Sequence, residues 1–281
     1  MHKMPSSWHI STFTLLILCT PVLSRSSFFS MASLQGGLAT LQDSISGSTC
    51  EDGIIDSIQI GDELEKKVLT LFEEAHSLPI SLSKEDGNIE VRTKFDDQQY
   101  LTTVAEAKIV NSHPKDHQGF LENFLEAFAQ ADPMVKEIRA VEQDNHHQRE
   151  GVKAFLKFPF PIKDRVMVYW KSLKLNRNQD EHMIILSEKG NQDLLDKYLS
   201  PDERENYVVG RIFLCAYWVK PVYGADNKIV GSNIRYLFSG DVGGAMPKWV
   251  QSAVGPKNAL DSLNGFIKYG DEKSTHLETQ T

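Results

Sequence analysis

The sequence predicts a single α+β domain in which a large antiparallel sheet packs against a long terminal helix. Three observations predict it. Two runs, 89–95 and 101–110, alternate apolar and polar residues with the period of a half-buried strand. The stretch from 138 to 239 holds about six more strand-like pieces, with too few residues between most of them for crossover helices. Three other segments, beginning near Asp62, Asp116 and Pro247, carry apolar residues at helical spacing instead.

Asp62 is placed to cap the first helix, with Glu63 and Glu65 where carboxylates meet the positive end of the helix dipole. Leu64, Val68, Leu71, Phe72 and Ala75 form its apolar face, and Pro79 stops it. In the first strand Ile89, Val91, Thr93 and Phe95 share one face, and Glu90, Arg92 and Lys94 the other. In the second, Leu101, Thr103, Ala105, Ala107 and Ile109 point one way. The small Ala105 and Ala107 leave room there, either for an enclosed cavity or for the close approach of a helix. Asp116 opens a second helix with the stripe Phe120, Leu121, Phe124, Leu125 and Phe128, ended by Asp132-Pro133.

The later strand pieces are 138–143, 151–158, 165–175, 182–188, 207–221 and 229–239. In the second of these, Val152, Ala154, Leu156 and Phe158 fall on one face and Lys153 and Lys157 on the other, with Phe155 out of step. Residues 189–206 read as a long acidic and polar loop. The last helix carries Trp249, Val250, Ala253, Leu260, Leu263 and Ile267 as apolar positions, and Gly255-Pro256 predicts a kink or an interruption. A curved antiparallel sheet of about nine strands around such a helix has room for a small-molecule cavity.

Composition narrows the function. The chain has 281 residues, 41% of them hydrophobic and 24% charged, enough apolar material for a folded core. Its net charge of −8 and lack of a basic run exclude a sequence-independent nucleic-acid binder. They leave transient membrane contact through an apolar patch. Cys19, Cys50 and Cys215 form no CxxC, which argues against a thiolate zinc site, and they make no disulfide framework. Cys215, in an apolar run, reads as a buried small hydrophobe. There is no G-x-S-x-G, H-E-x-x-H or P-loop. His113 and His117 have metal-compatible spacing only within a helix, and Pro114 lies between them; His146-His147 falls in a polar turn. No metal, cofactor or catalytic residue is expected, and the chain is not expected to be an enzyme.

The run from Phe13 to Leu23 is too short to span a bilayer but suits the apolar core of a secretory signal, with cleavage near Ser24. Residues 1–30 are therefore expected to be a signal or organelle-targeting segment, or else an extension preceding a start at Met31. The first reading implies the secretory pathway or an organelle, the second the cytoplasm. Residues 31–61 read as a Ser-, Gly-, Gln- and Asp-containing linker, 62–270 as the domain and 271–281 as a polar tail.

Two motifs carry a resemblance. The first is Phe158-Pro159-Phe160-Pro161 followed by Arg165 and a strand; the second is Asp241-Val-Gly-Gly244-Ala-Met-Pro247-Lys-Trp249. In order and spacing they are similar to the START family of lipid-binding proteins, except that Val166 stands where that family usually has Asp. The resemblance implies a helix-grip fold that binds one lipid in an internal tunnel roofed by the terminal helix, with 189–206 or 223–231 as partner loop. It implies transfer between membranes by a monomer, the alternatives being a sensor without transport or an enzyme using the same cavity. Val152, Ala154, Leu156, Met167, Tyr169, Lys171 and Trp249 are the implied cavity lining, with Lys171 contacting a head group; Glu150, of inward parity in its own strand, is the partner expected for that lysine. Trp249 is expected to pack under the terminal helix rather than enter a membrane. Pro159, Pro161, Arg165, Asp241, Gly244 and Pro247 are expected to hold the motif turns. The resemblance argues against a choline head group, because 131–142 offers no matching Arg, Ala154 stands where an indole would serve, and Met167 replaces a tyrosine. Sterol, ceramide, another phospholipid and a fatty acid all stay open.

Overall fold

A computed structural model describes residues 52–84, 88–97, 100–158, 162–189, 193–244 and 246–278. The expectations for residues 1–30, for Cys19 and Cys50, and for Pro159 and Pro161 lie outside the described residues.

Helix α1 (Asp52–Ala75) begins ten residues before Asp62, so 52–61 is helix rather than linker. Ile54, Ile55 and Ile58 extend the apolar spacing backwards, and Gly61 weakens a helix without ending it. Strands β1 (Ile80–Ser83), β2 (Ile89–Phe95) and β3 (Leu101–Val110) follow. The single helix expected after them is two, α2 (Pro114–Glu122) and α3 (Phe124–Ala131), broken at Asn123. Asp116 does not open α2. His113 is the N-cap, its side chain accepting from the backbone of Lys115, and Asp116 reaches back to accept from the His113 N–H at 2.8 Å.

The chain then runs through β4 (Val135–Asp144), β5 (Arg149–Leu156), β6 (Arg165–Asn176) and β7 (Glu181–Ser187). Two short helices, α4 (Asp193–Tyr198) and α5 (Pro201–Asn206), precede β8 (Val208–Val209), β9 (Arg211–Tyr223), β10 (Ile229–Asp241) and the terminal helix α6 (Lys248–Glu278). The strand order is β1-β2-β3-β10-β9-β7-β6-β5-β4, antiparallel throughout, with β8 added in parallel to β6. This is the antiparallel α+β arrangement that the sequence predicts, with one strand more than about nine. Helix α6 runs through Gly255-Pro256 without interruption and on into the expected tail. Gly255 explains the continuity: it has no Cβ to meet the proline ring, so the helical conformation stays open to the residue before Pro256.

Both faces of the sheet are covered. On the outer face Val68, Phe72 and Ala75 of α1 pack on Val104, Met183, Ile185, Leu214, Ala216 and Trp218. Further along it, Leu194 and Leu199 of the α4–α5 segment pack on Phe155, Val166, Val168 and Trp170. The inner face meets α2, α3 and α6 in an aromatic core of Phe120, Phe124, Tyr217 and Phe266. Ala105 and Ala107 sit in that core, where α6 packs on β3. A close helix therefore uses the space they leave.

The outer cover explains two features of the strand pattern and corrects one expectation. Lys153 is buried, not solvated; its Nζ donates to the Tyr198 carbonyl at 2.8 Å and to Glu203 at 2.7 Å. Phe155 is out of step because it faces this cover, edge-on to Tyr207. Residues 189–206 hold α4 and α5 on the outer face, so they are not the partner loop of a roof over the inner one. Val166, where an Asp was the family pattern, is fully buried beneath α4, a place where an unpaired carboxylate would be costly.

Candidate ligand cavity

Inward alternation along β5 and β6 sets Ala154, Leu156, Met167 and Tyr169 on the wall of a cavity between sheet and α6. Leu101 and Thr103 of β3, Leu186 of β7, Cys215 and Tyr217 of β9, and Tyr236 and Phe238 of β10 complete the sheet side. The roof is Val242 and Met246 of the connecting loop and Gln251, Val254, Gly255, Asn258 and Ala259 of α6. Phe128, Asp132 and Met134 close it from the α3 side. The space is about 100 Å3 as it stands.

Three expected lining residues lie elsewhere. Val152 is fully buried in the core but does not reach the cavity. Lys171 is half-buried, and its ammonium stands 2.5 Å from Glu150 directly across the β5–β6 ladder. This is an ion pair by proximity rather than an aligned hydrogen bond. Glu150, of matching parity in its strand, thus stands opposite Lys171, and the pair lies outside the cavity. Trp249 neither lines the cavity nor packs under α6; it is 69% exposed in the first turn of the helix. The 223–231 hairpin pairs with the Val110 end of β3, whereas the cavity begins at its Leu101 end.

The two sequence motifs meet at one turn. Arg165 is buried, with Nε donating to the Val242 carbonyl at 3.0 Å and a terminal nitrogen donating to that of Gly243 at 3.2 Å. Another terminal nitrogen donates to the Lys163 carbonyl, and the guanidinium stacks over the Phe158 ring. Gly243 and Gly244 have φ of 74° and 72°, the left-handed region that favours glycine. A Cβ on Gly243 would also lie 2.2 Å from the Val209 carbonyl. Asp241 accepts from the Gly243 N–H at 2.8 Å and braces the turn; Pro247 directly precedes α6. The clamp holds the segment that carries Val242 and Met246 over the cavity.

Inside, the chemistry is almost uncharged. Among the described lining residues there is no Lys, Arg or His. Burial pushes Tyr169, Tyr217, Tyr236 and Cys215 up, so the phenols and the thiol stay protonated, and Cys215 does not supply a thiolate nucleophile. The one ionisable acid is Asp132, which sequence reasoning read only as a helix terminator. It accepts at Oδ2 from Ser262, 130 residues away, at 3.1 Å. No local pattern could have announced it.

His113 and His117 do not form a metal pair. The first caps α2, and the second is buried edge-on to Phe266 with Nε2 at 3.0 Å from Ser112 Oγ. Among the described residues no cluster of three His, Cys, Asp or Glu side chains is placed to hold a metal ion. Nor is any described helix long and apolar enough to cross a membrane.

No family model matches this chain, and no curated protein does. Solved structures do. Human STARD10 is 16% identical with a TM-score of 0.55, over 85% of this chain and 87% of that one. A STAR-related lipid transfer protein from Xanthomonas axonopodis is 15% identical with a TM-score of 0.52, over 69% of this chain and 98% of that one. The chain thus has a START-like helix-grip fold.

Proposed function

We propose that this chain holds a single lipid in the cavity beneath α6 and carries it between membranes as a monomer. The cavity carries the reading: uncharged apart from one acid, mostly apolar, and roofed by one helix and a clamped loop. Burying acyl or ring surface there releases roughly 25 cal/mol per Å2, so several hundred Å2 are worth several kcal/mol. The fold supports it too, since one of the similar structures is described as a lipid transfer protein.

The present space of about 100 Å3 is small beside the roughly 300–1,000 Å3 of pockets that hold drug-sized ligands. Loading therefore requires the roof segment 242–259 to move outward. Trp249 stands on the outside of that roof, and an indole suits the membrane–water interface, apolar on its body and polar at its N–H. Membrane contact at α6 would couple docking to opening.

Purification from cells followed by mass spectrometry of bound lipid tests binding; movement of that lipid between donor and acceptor vesicles tests transfer. An empty protein that takes up no lipid would overturn the reading. Binding without transfer would leave a sensor, and turnover of the extracted lipid an enzyme. Trp249→Ala is expected to slow vesicle transfer roughly threefold to tenfold with lipid affinity unchanged.

A further inference from the structure

Two buried polar groups stand out in the cavity: a hydroxyl with no partner in the protein, and an acid that is hydrogen-bonded but faces no cation. Thr103 is 1% exposed, lines the cavity, and its Oγ1 has no hydrogen-bond partner. Asp132 is 4% exposed and also lines it; its carboxylate accepts from the Met134 N–H at 2.9 Å and from Ser262 Oγ, but no cation faces it from the lining. Native interiors rarely leave a buried hydroxyl such as that of Thr103 without a partner, and a cavity gives a ligand access to it. Along α6 the two points are separated: Gly255 lies beside Thr103, and Ser262, at Asp132, is seven residues further on. That is about two helical turns, or roughly 10 Å.

The lining also says what is unwelcome. A carboxylate or phosphate brought into this space would find one acid and no cation. A zwitterionic head group could place its cation near Asp132 and the tyrosines, but its phosphate would still go unpaired. An ammonium alone could donate to Asp132 and would give Thr103 nothing to donate to. A hydroxyl both donates and accepts, and so suits either point.

We propose that the cavity selects a lipid whose buried polar end is a neutral hydroxyl, received by Thr103 or by the Asp132–Ser262 pair, and discriminates against anionic and cationic head groups. The inference rests on the lipid-binding reading above. Burial pushes the Asp132 carboxyl up against the hydrogen bonds from Met134 and Ser262, which moves this site further toward neutrality. The Met134 N–H and the Ser262 hydroxyl hold its two oxygens, so the acid is a fixed group rather than a mobile side chain.

Calorimetric titration of the full chain with four probes of equal chain length tests this: a long-chain alcohol, its methyl ether, the corresponding carboxylate, and the trimethylammonium salt. The alcohol is expected to bind roughly fivefold tighter than the ether and at least roughly tenfold tighter than either ion. Thr103→Val removes a hydroxyl that has no partner within the protein, so the fold should keep its melting temperature. Asp132→Asn removes the charge that repels the carboxylate, and at least one of the two variants should shrink the alcohol's advantage to roughly twofold. Equal binding of alcohol and ether, a carboxylate or ammonium that binds as tightly as the alcohol, or both variants leaving the ratios intact would each overturn the head-group assignment while lipid binding stood. If none of the four probes binds, the lipid-binding reading falls, and this one with it.

Discussion

The two halves of α6 do different work. From Ser262 onward the helix is a pillar: Phe266 is fully buried and touches Phe120, Tyr217 and His117, and Gly265 lies so close to α3 that a Cβ there would meet the Ala131 carbonyl at 2.6 Å. From Lys248 to Ala259 the same helix is a cover over space, with Val254, Gly255 and Asn258 facing the cavity and Trp249 facing solvent. One element can thus be anchored at one end and yield at the other, because packed contacts resist displacement and a void offers few contacts to lose.

Mutations can break this division or sharpen it. Phe266→Ala is expected to cost about 3–5 kcal/mol in chemical denaturation, the range for truncating a large buried aromatic residue. A loss under about 1 kcal/mol would mean that the pillar is not one. Acid should act on the same half. His117 is pushed down from 6.5 to about 4 by burial, partly offset by Asp116. The unfolded chain therefore binds a proton that the folded one refuses between those values, and stability falls as pH drops from about 6.5 to about 4. The loss is about 3 kcal/mol. Denaturation midpoints measured across that window should slope, and His117→Gln should flatten the slope.

In the other half, Ala154→Leu fills cavity rather than core. Stability is expected to stay within about 1 kcal/mol or to rise, while lipid affinity falls roughly tenfold or more. A large destabilisation would show that the wall has no slack. The smallest effect belongs to Lys171→Ala. Its ion pair with Glu150 is mostly buried but outside the lining, so lipid affinity should change less than about twofold, with a stability loss of about 1 kcal/mol from the carboxylate left without its cation.

Periodicity in the sequence reports parity well. The inward set Ala154, Leu156, Met167 and Tyr169 is legible from alternation together with the START resemblance, and all four line the cavity. Parity does not say how far along a strand the cavity extends, so Val152 and Lys171 share the inward face and still lie outside the lining. Nor does it say what covers the other face, so nothing in the pattern distinguishes the buried Lys153 from a solvated lysine. Helix α5 did have a local signature, with Ser200 as N-cap, Pro201 after it and Glu203 closing a capping box. Its polar composition hid that behind the look of a loop. Trp249 departs from expectation for a different reason: an apolar residue in a helix usually marks the buried side, and this one marks the side turned to solvent.

The Arg165 clamp has a consequence for altering this protein. Every hydrogen bond it makes is to a main-chain carbonyl, those of Lys163, Val242 and Gly243. It fixes the path of the loop without reading its side chains. Val242 and Met246, which face the ligand space, are free of that constraint. A designer could therefore vary these two positions to retune which lipid fits, keeping Arg165, Asp241, Gly243 and Gly244 as the unchanging frame.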